Sequence, residues 1–216
     1  MERACERSKR NSRDIQLILV TKQVSVQAIE EAYQLGIRDF GENRIQEWLD
    51  KKNQLPKDIR WHLIGHLQTN KVRFCVGEFE LIHSVDSKKL ALAIDREGKA
   101  RKIRAKCLIQ VNTSGEATKS GIEPNQLREL VLEISRCSHI QIQGLMTIGP
   151  LTEDPSKTRA SFQTLHHLYG EMRDTFPKED WRYLSMGMSS DFEIAIEEGA
   201  NLLRIGTAVF GERAAK

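Results

Sequence analysis

Lys22 stands where an aliphatic run, Ile15 and Leu17–Val20, ends in "LILVTKQVS". A primary amine at the carboxyl end of a buried strand is either a solvated cap or, if held neutral, a nucleophile toward a carbonyl carbon. Two other stretches carry groups that such a lysine could use. "SMGMSSD" (185–191) gathers Ser185, Ser189 and Ser190 ahead of an acidic residue, and "RIGT" (204–207) sets Arg204 two residues before Gly206 and Thr207. Glycine lets a backbone approach a ligand, amide N–H groups point outward and hydroxyls add donors, which together suit a phosphate. Amine, cradle and cation imply a phosphorylated carbonyl compound held as a Schiff base. Burial and the Arg204 charge both favour a neutral amine. Taken singly, a strand-end lysine is structural in most proteins, and "SMGMSSD" is equally a capped helix start. Only their joint placement carries the functional reading.

That placement depends on the elements. Ala28, Ile29, Ala32 and Leu35 share one helical face before Gly36, and Leu127, Leu130, Val131 and Ile134 recur at helical spacing. Strands are expected at 17–22, 37–43, 60–67, 80–86, 106–113, 140–149, 182–188 and 201–211, each separated from the next by a helical segment. Eight such repeats imply an α/β protein, a single (β/α)₈ barrel over residues 1–216, with no linker dividing the chain. An open, doubly wound sheet is the competing architecture. In a barrel the site forms at the carboxyl ends of the strands. Lys22 then ends strand one, Asn43 strand two and Met146 strand six, while the serine loop follows strand seven and Arg204–Thr207 ends strand eight. No helix is expected after strand eight. The basic start, "MERACERSKRNSR", is expected as a solvated helix or frayed tail, unless it supplies the missing outer helix.

Composition excludes other classes. Of 216 residues, 29% are charged and 39% hydrophobic, with a net charge of +3. No apolar run approaches the length of a membrane span, and the interleaved charges form no basic stripe, so neither a membrane nor nucleic acid is an expected partner. The start lacks the apolar stretch of a secretory signal. Cys5, Cys75, Cys107 and Cys137 are far apart with no C-x-x-C pair, which fits a reducing, cytoplasmic setting. Cys107 is expected to pack as a small hydrophobe. His62 and His66 are four apart but lie on a strand, so no helical ligand pair and no metal are expected. His166 and His167 read as a solvated helix face.

At these residues the sequence resembles the YggS/PROSC group of pyridoxal 5′-phosphate (PLP) homeostasis proteins. The matching pieces occur in order: "LVTK", "GIRDFGENRIQE", "RWHLIGHLQTNKVR", "LIHSVDS", "VNTSGEATKSGI", "GLMTIGP", "YLSMGMSSDFEIAIEEGA" and "LRIGTAVFGER". The resemblance implies a single TIM barrel like the N-terminal domain of alanine racemase, with PLP bound covalently to Lys22 as a Schiff base. It implies that Ser189, Gly206 and Thr207 hold the phosphate with help from Ser185 or Ser190, that Arg204 faces the pyridine nitrogen, and that Asn43 and Met146 flank the ring. Glu116 and Lys119 match a family pattern near the site without an assigned role. The chain departs in its shorter start and in "LVTK" for the usual "AVSK", where threonine keeps the hydroxyl.

PLP enzymes that break bonds at the α-carbon commonly pair the ring nitrogen with a carboxylate, which makes the ring an electron sink. An arginine there weakens that sink. Alanine racemase tolerates one, yet it adds a β-domain and a partner's tyrosine, for which 216 residues leave no room. The expectation is therefore a PLP carrier in vitamin B6 homeostasis: a monomer without robust amino-acid turnover, in transient contact with apo PLP enzymes. A weak racemase and a Schiff-base aldolase are the alternatives.

Overall fold

The computed structural model describes residues 1–116 and 119–212. Among them, eight parallel strands each pair with the next: β1 (Gln16–Val20), β2 (Asp39–Glu42), β3 (Arg60–Leu63), β4 (Leu81–Val85), β5 (Ala105–Gln110), β6 (Ile140–Met146), β7 (Tyr183–Ser185) and β8 (Leu202–Ile205). β8 returns to β1 through Leu17 opposite Leu203 and Ile18 opposite Arg204, so the sheet is a closed barrel rather than an open one.

Helices α1 (Glu2–Ser8), α2 (Val26–Gln34), α3 (Ile45–Lys52), α4 (Lys88–Arg101), α5 (Leu127–Ile134), α6 (Pro155–Thr175), α7 (Phe192–Glu197) and α8 (Thr207–Phe210) surround it, and a 3₁₀ segment at Thr69–Phe74 follows β3. Their starts are written locally. The Ser25 hydroxyl accepts the Ala28 amide at 3.2 Å, Ser87 accepts that of Leu90 at 3.4 Å, and Asp154 accepts that of Ser156 ahead of a helix opened by Pro155. α5 buries Leu127, Leu130, Val131 and Ile134, the spacing read from sequence.

Strand side chains alternate between two cores. Ile18, Leu81, Leu108, Met146 and Leu202 form a small cluster inside the barrel. Their neighbours, among them Leu19, Ile82, Cys107, Leu145 and Leu203, join the larger cluster under the helices. Cys107 is 1% exposed and packs as a hydrophobe.

The basic start is not a frayed tail. α1 buries Ala4 and Cys5, and Arg7 bridges Glu193 at 2.5 Å and Glu197 at 2.9 Å on α7. Arg10 donates to the carbonyls of Ile196 and Ala200 at 2.8 and 2.6 Å, satisfying the end of the same helix. The first helix thus covers the outer face beside α7. A four-residue helix, α8, does follow β8, contrary to the sequence reading, because Gly206 and Thr207 turn the chain at the barrel rim.

Candidate functional site

The site follows from the two-residue period of the strands. Ile18 points into the barrel, so Val20 and then Lys22 continue along the same face. In the same way Arg204 follows Leu202, and Ile148 follows Met146. These second-layer residues meet at the carboxyl mouth in a cavity of about 360 Å³, a volume suited to a small cofactor. Its walls comprise Val20, Lys22, Asn43, Ile64, Ile148, Met188, Ser189, Ser190, Arg204, Gly206 and Thr207.

Arg204 is buried on the cavity floor. Its guanidinium donates to Ser185 Oγ at 2.6 Å and to the Thr147 carbonyl at 2.7 Å. Burial lowers its pKa to about 10, which leaves it charged at neutral pH. Asp191 lies close enough to favour that charge, while burial raises the pKa of the Asp191 carboxyl itself. Asp191 is tied to the serine loop by accepting the Met188 amide at 2.6 Å. Ser189 Oγ accepts the Gly206 and Ala208 amides, both at 3.2 Å, and so pins the β7 loop to the turn after β8.

Two glycines let these loops close. A Cβ on Gly65 would fall 2.3 Å from the Asn43 carbonyl, and Gly187, at φ +96°, would place one 2.5 Å from Ala195 Cβ. Glycine at 65 therefore allows the third strand's end to pass against Asn43, and glycine at 187 allows the turn into the serine loop.

A buried ionic cluster backs Lys22. Lys51 Nζ donates to the Thr21 carbonyl at 2.7 Å, to Glu42 at 2.9 Å and to Glu47 at 2.6 Å. Thr21 Oγ1 donates to the same Glu42 oxygen at 2.7 Å, and the Gln23 amide donates to Glu47. Burial raises the Glu42 pKa against the pull of Thr21 and Lys51. The residues on both sides of Lys22 are thereby fixed to α3.

Seven residues expected from sequence, namely Lys22, Asn43, Ser189, Ser190, Arg204, Gly206 and Thr207, line this one cavity. Met146 and Ser185 do not line it. Met146 belongs to the interior cluster one layer lower, where the period places it, and Ile148 takes the wall above. Ser185 is fully buried beneath Arg204. Ile64, Ile148 and Met188 escaped the sequence reading. Counting by two along each strand would have reached Ile148, whereas Met188 lies on a loop with no period to follow. Glu116 and Lys119 meet at 2.8 Å, and Lys119 also donates to the Gly149 carbonyl at 2.6 Å, next to the cavity's Ile148 strand end. His62 and His66 diverge: His62 faces Asp39 and His83, while His66 sits 3.6 Å from Asp86. His166 and His167 are both exposed on α6, as expected of a solvated face, and His166 Nδ1 lies 2.8 Å from the Glu198 carbonyl.

A larger cavity of about 510 Å³ opens at the opposite, amino-terminal mouth, where Asp39, Arg60, Glu80 and Tyr183 are among its walls. It holds no lysine to react with a carbonyl and no serine–glycine cradle.

The family model of the alanine racemase N-terminal domain matches residues 2–214. A pyridoxal phosphate homeostasis protein of Aquifex aeolicus is 44% identical over 214 residues, covering 99% of this chain and 93% of its own length. PipY of Synechococcus elongatus, in a structure with PLP bound, is 39% identical with a TM-score of 0.86, covering 97% of this chain and 99% of PipY. An alanine racemase of Clostridium difficile is 16% identical with a TM-score of 0.75; this chain spans 56% of it, and the likeness is one of fold. The sequence identities, held over nearly the whole of both chains, show that this chain belongs to the family of pyridoxal phosphate homeostasis proteins.

Proposed function

We propose that this chain binds PLP at the carboxyl mouth of the barrel through a Schiff base to Lys22, and holds it for delivery within vitamin B6 homeostasis. One observation carries the reading: Lys22, Arg204, Asn43, the two loop serines and the Gly206–Thr207 turn converge on one cavity of cofactor size. The residues fit the group. Asn43 Oδ1 is a buried oxygen without a partner among the described residues, on the cavity wall. Ser189 spends its lone pairs on two backbone amides, which leaves its hydroxyl proton for a phosphate oxygen.

When bound, PLP supplies an aldehyde that combines with amines and a ring that can take up electrons. Lys22 would offer its amine to that aldehyde. Ser189, Ser190 and Thr207 would donate to the phosphate, and Ile64, Ile148 and Met188 would keep water from the ring. Arg204 would offer the ring nitrogen N–H donors in place of a carboxylate, which would disfavour its protonation and weaken the ring as an electron sink. Retention is therefore favoured over α-carbon chemistry. The names of the relatives and the PLP held by PipY support the same reading.

The chain works in this proposal as one binding domain over residues 1–216, in a reducing cytoplasm where its four cysteines stay unpaired, with apo PLP enzymes as recipients. Loaded protein incubated with a panel of L-amino acids is expected to give no D-isomer or keto acid beyond one equivalent of bound cofactor, read by chiral chromatography. Sustained turnover of any of them contradicts the carrier reading and favours a racemase or transaminase.

A further inference from the structure

Arg204 is the last member of a hydrogen-bonded chain that crosses the barrel interior from the opposite mouth. Asp39 begins β2, His62 lies on β3, His83 on β4, and Ser185 ends β7. His62 Nε2 is 3.0 Å from Asp39 Oδ1, and His62 Nδ1 is 3.2 Å from His83 Nε2. His83 Nδ1 is 3.2 Å from Ser185 Oγ, which accepts from Arg204 at 2.6 Å. All five side chains are at least nine-tenths buried: Asp39 is 7% exposed, Arg204 3%, His62 2%, and His83 and Ser185 0%.

The chemistry of the two ends fixes the direction of the outer links. Arg204 can only donate. Asp39 is an ionised acceptor: burial works to raise its pKa, but hydrogen bonds from Arg60 and His62 outweigh it and hold the carboxyl well below its usual range. Arg60 grips both carboxylate oxygens, at 2.8 and 2.6 Å. His62 Nε2–H therefore donates to Asp39. With one proton per ring, His62 Nδ1 accepts from His83 Nε2–H, and His83 Nδ1 accepts from the Ser185 hydroxyl. Ser185 in turn keeps a lone pair for Arg204. The reverse order places a second proton on His62, whereas burial above all holds His83 well below its ordinary pKa and keeps that ring neutral in either order.

We propose that Asp39, His62, His83 and Ser185 form a one-directional relay that positions the Arg204 guanidinium on the cavity floor, so that His62 and His83 govern retention of the ligand without touching it. This rests on the PLP reading only for its last step; the relay itself is a property of the unloaded protein. Buried rings in neutral apolar packing alone would leave Arg204 indifferent to which tautomer they hold. A relay makes the tautomer the determinant, because only an unprotonated His83 Nδ1 can hold the Ser185 hydroxyl away from Arg204.

The test has two arms. In protein labelled with ¹⁵N-histidine and free of PLP, nitrogen-resolved NMR is expected to show both His62 and His83 as neutral Nε2–H tautomers. A protonated Nδ1 on His83, or a doubly protonated His62, overturns the relay whether or not PLP is the ligand. In the loaded protein, His83→Leu is expected to release PLP about fivefold faster and to shift its visible band, the effect of one hydrogen bond lost at the guanidinium. His83→Gln, whose amide oxygen can accept from Ser185, is expected to restore most of the difference. Equal release rates and identical bands in wild type and His83→Leu overturn the positioning role. PLP failing to bind wild type at all would instead defeat the functional reading and leave the NMR arm standing.

Discussion

At the scale of single residues, the proposed function asks different things of Lys22 and Arg204. Lys22 needs only reach and a neutral amine, whereas Arg204 needs a fixed direction, and the hydrogen bonds to Ser185 and Thr147 supply it. Arg204→Glu is therefore expected to move the visible band of the loaded protein and to weaken PLP retention about tenfold or more, since a charge-assisted donor becomes a buried acceptor facing the Thr147 carbonyl. Titration of PLP into the variant, followed by absorbance, checks it. An unchanged band and affinity remove Arg204 from the ring. Lys22 and the serine and glycine residues were legible in the sequence only through their joint placement at the ends of strands one, seven and eight. Ser185 was legible as a polar residue but not as a support for Arg204, a contact that forms only when β7 and β8 lie side by side.

At the scale of elements, the cavity is assembled by register. Val20, Lys22, Ile148, Arg204 and Gly206 each lie an even number of positions from an interior hydrophobe of the same strand, which is why Ile148 rather than Met146 reaches the mouth. The eight repeats, the caps at Ser25 and Ser87 and the α5 face were readable from sequence, because they are local. The anchoring of "LVTK" by α3 was not. Lys51 looks like one more surface lysine until the barrel register turns Glu42 outward to meet it. Lys51→Met leaves Glu42, 0% exposed, without its cation and is expected to destabilise the fold by about 3–5 kcal/mol, read from urea unfolding. The double variant Glu42→Leu with Lys51→Met is expected to recover much of that loss, because the apolar pair needs no desolvation of charge. A single variant as stable as wild type would show that α3 is not fastened through this cluster.

At the scale of the whole molecule, the barrel carries the proposed site at one mouth and a buried, ion-paired carboxylate at the other. The Asp39 carboxyl, held low by Arg60 and His62 against its own burial, has a folded pKa below the ordinary 3.8. Its contribution to stability is thus fully present above that ordinary value and is lost as the pH falls from there toward the folded pKa. Asp39→Asn is expected to flatten this acid limb: urea midpoints measured at about pH 6 and about pH 3 should differ less in the variant than in wild type. An equal loss in both would place the acid sensitivity elsewhere. The first helix belongs to this scale as well. Its sequence is polar and basic, so it reads as a tail, yet its charges are spent at α7, with Arg7 on Glu193 and Glu197 and Arg10 on the carbonyls of Ile196 and of Ala200 just beyond the helix. No local pattern announces such a contact between residues some 190 positions apart.

The central claim is that the amine ending β1 holds the cofactor. Borohydride reduction of the PLP-reconstituted protein, followed by proteolysis and mass analysis of the peptides, tests it most directly. A pyridoxyl group on the peptide containing Lys22, absent from Lys22→Ala treated in the same way, is the result the structure predicts. Label on another lysine, such as Lys51 or Lys119, or no label at all, would contradict it.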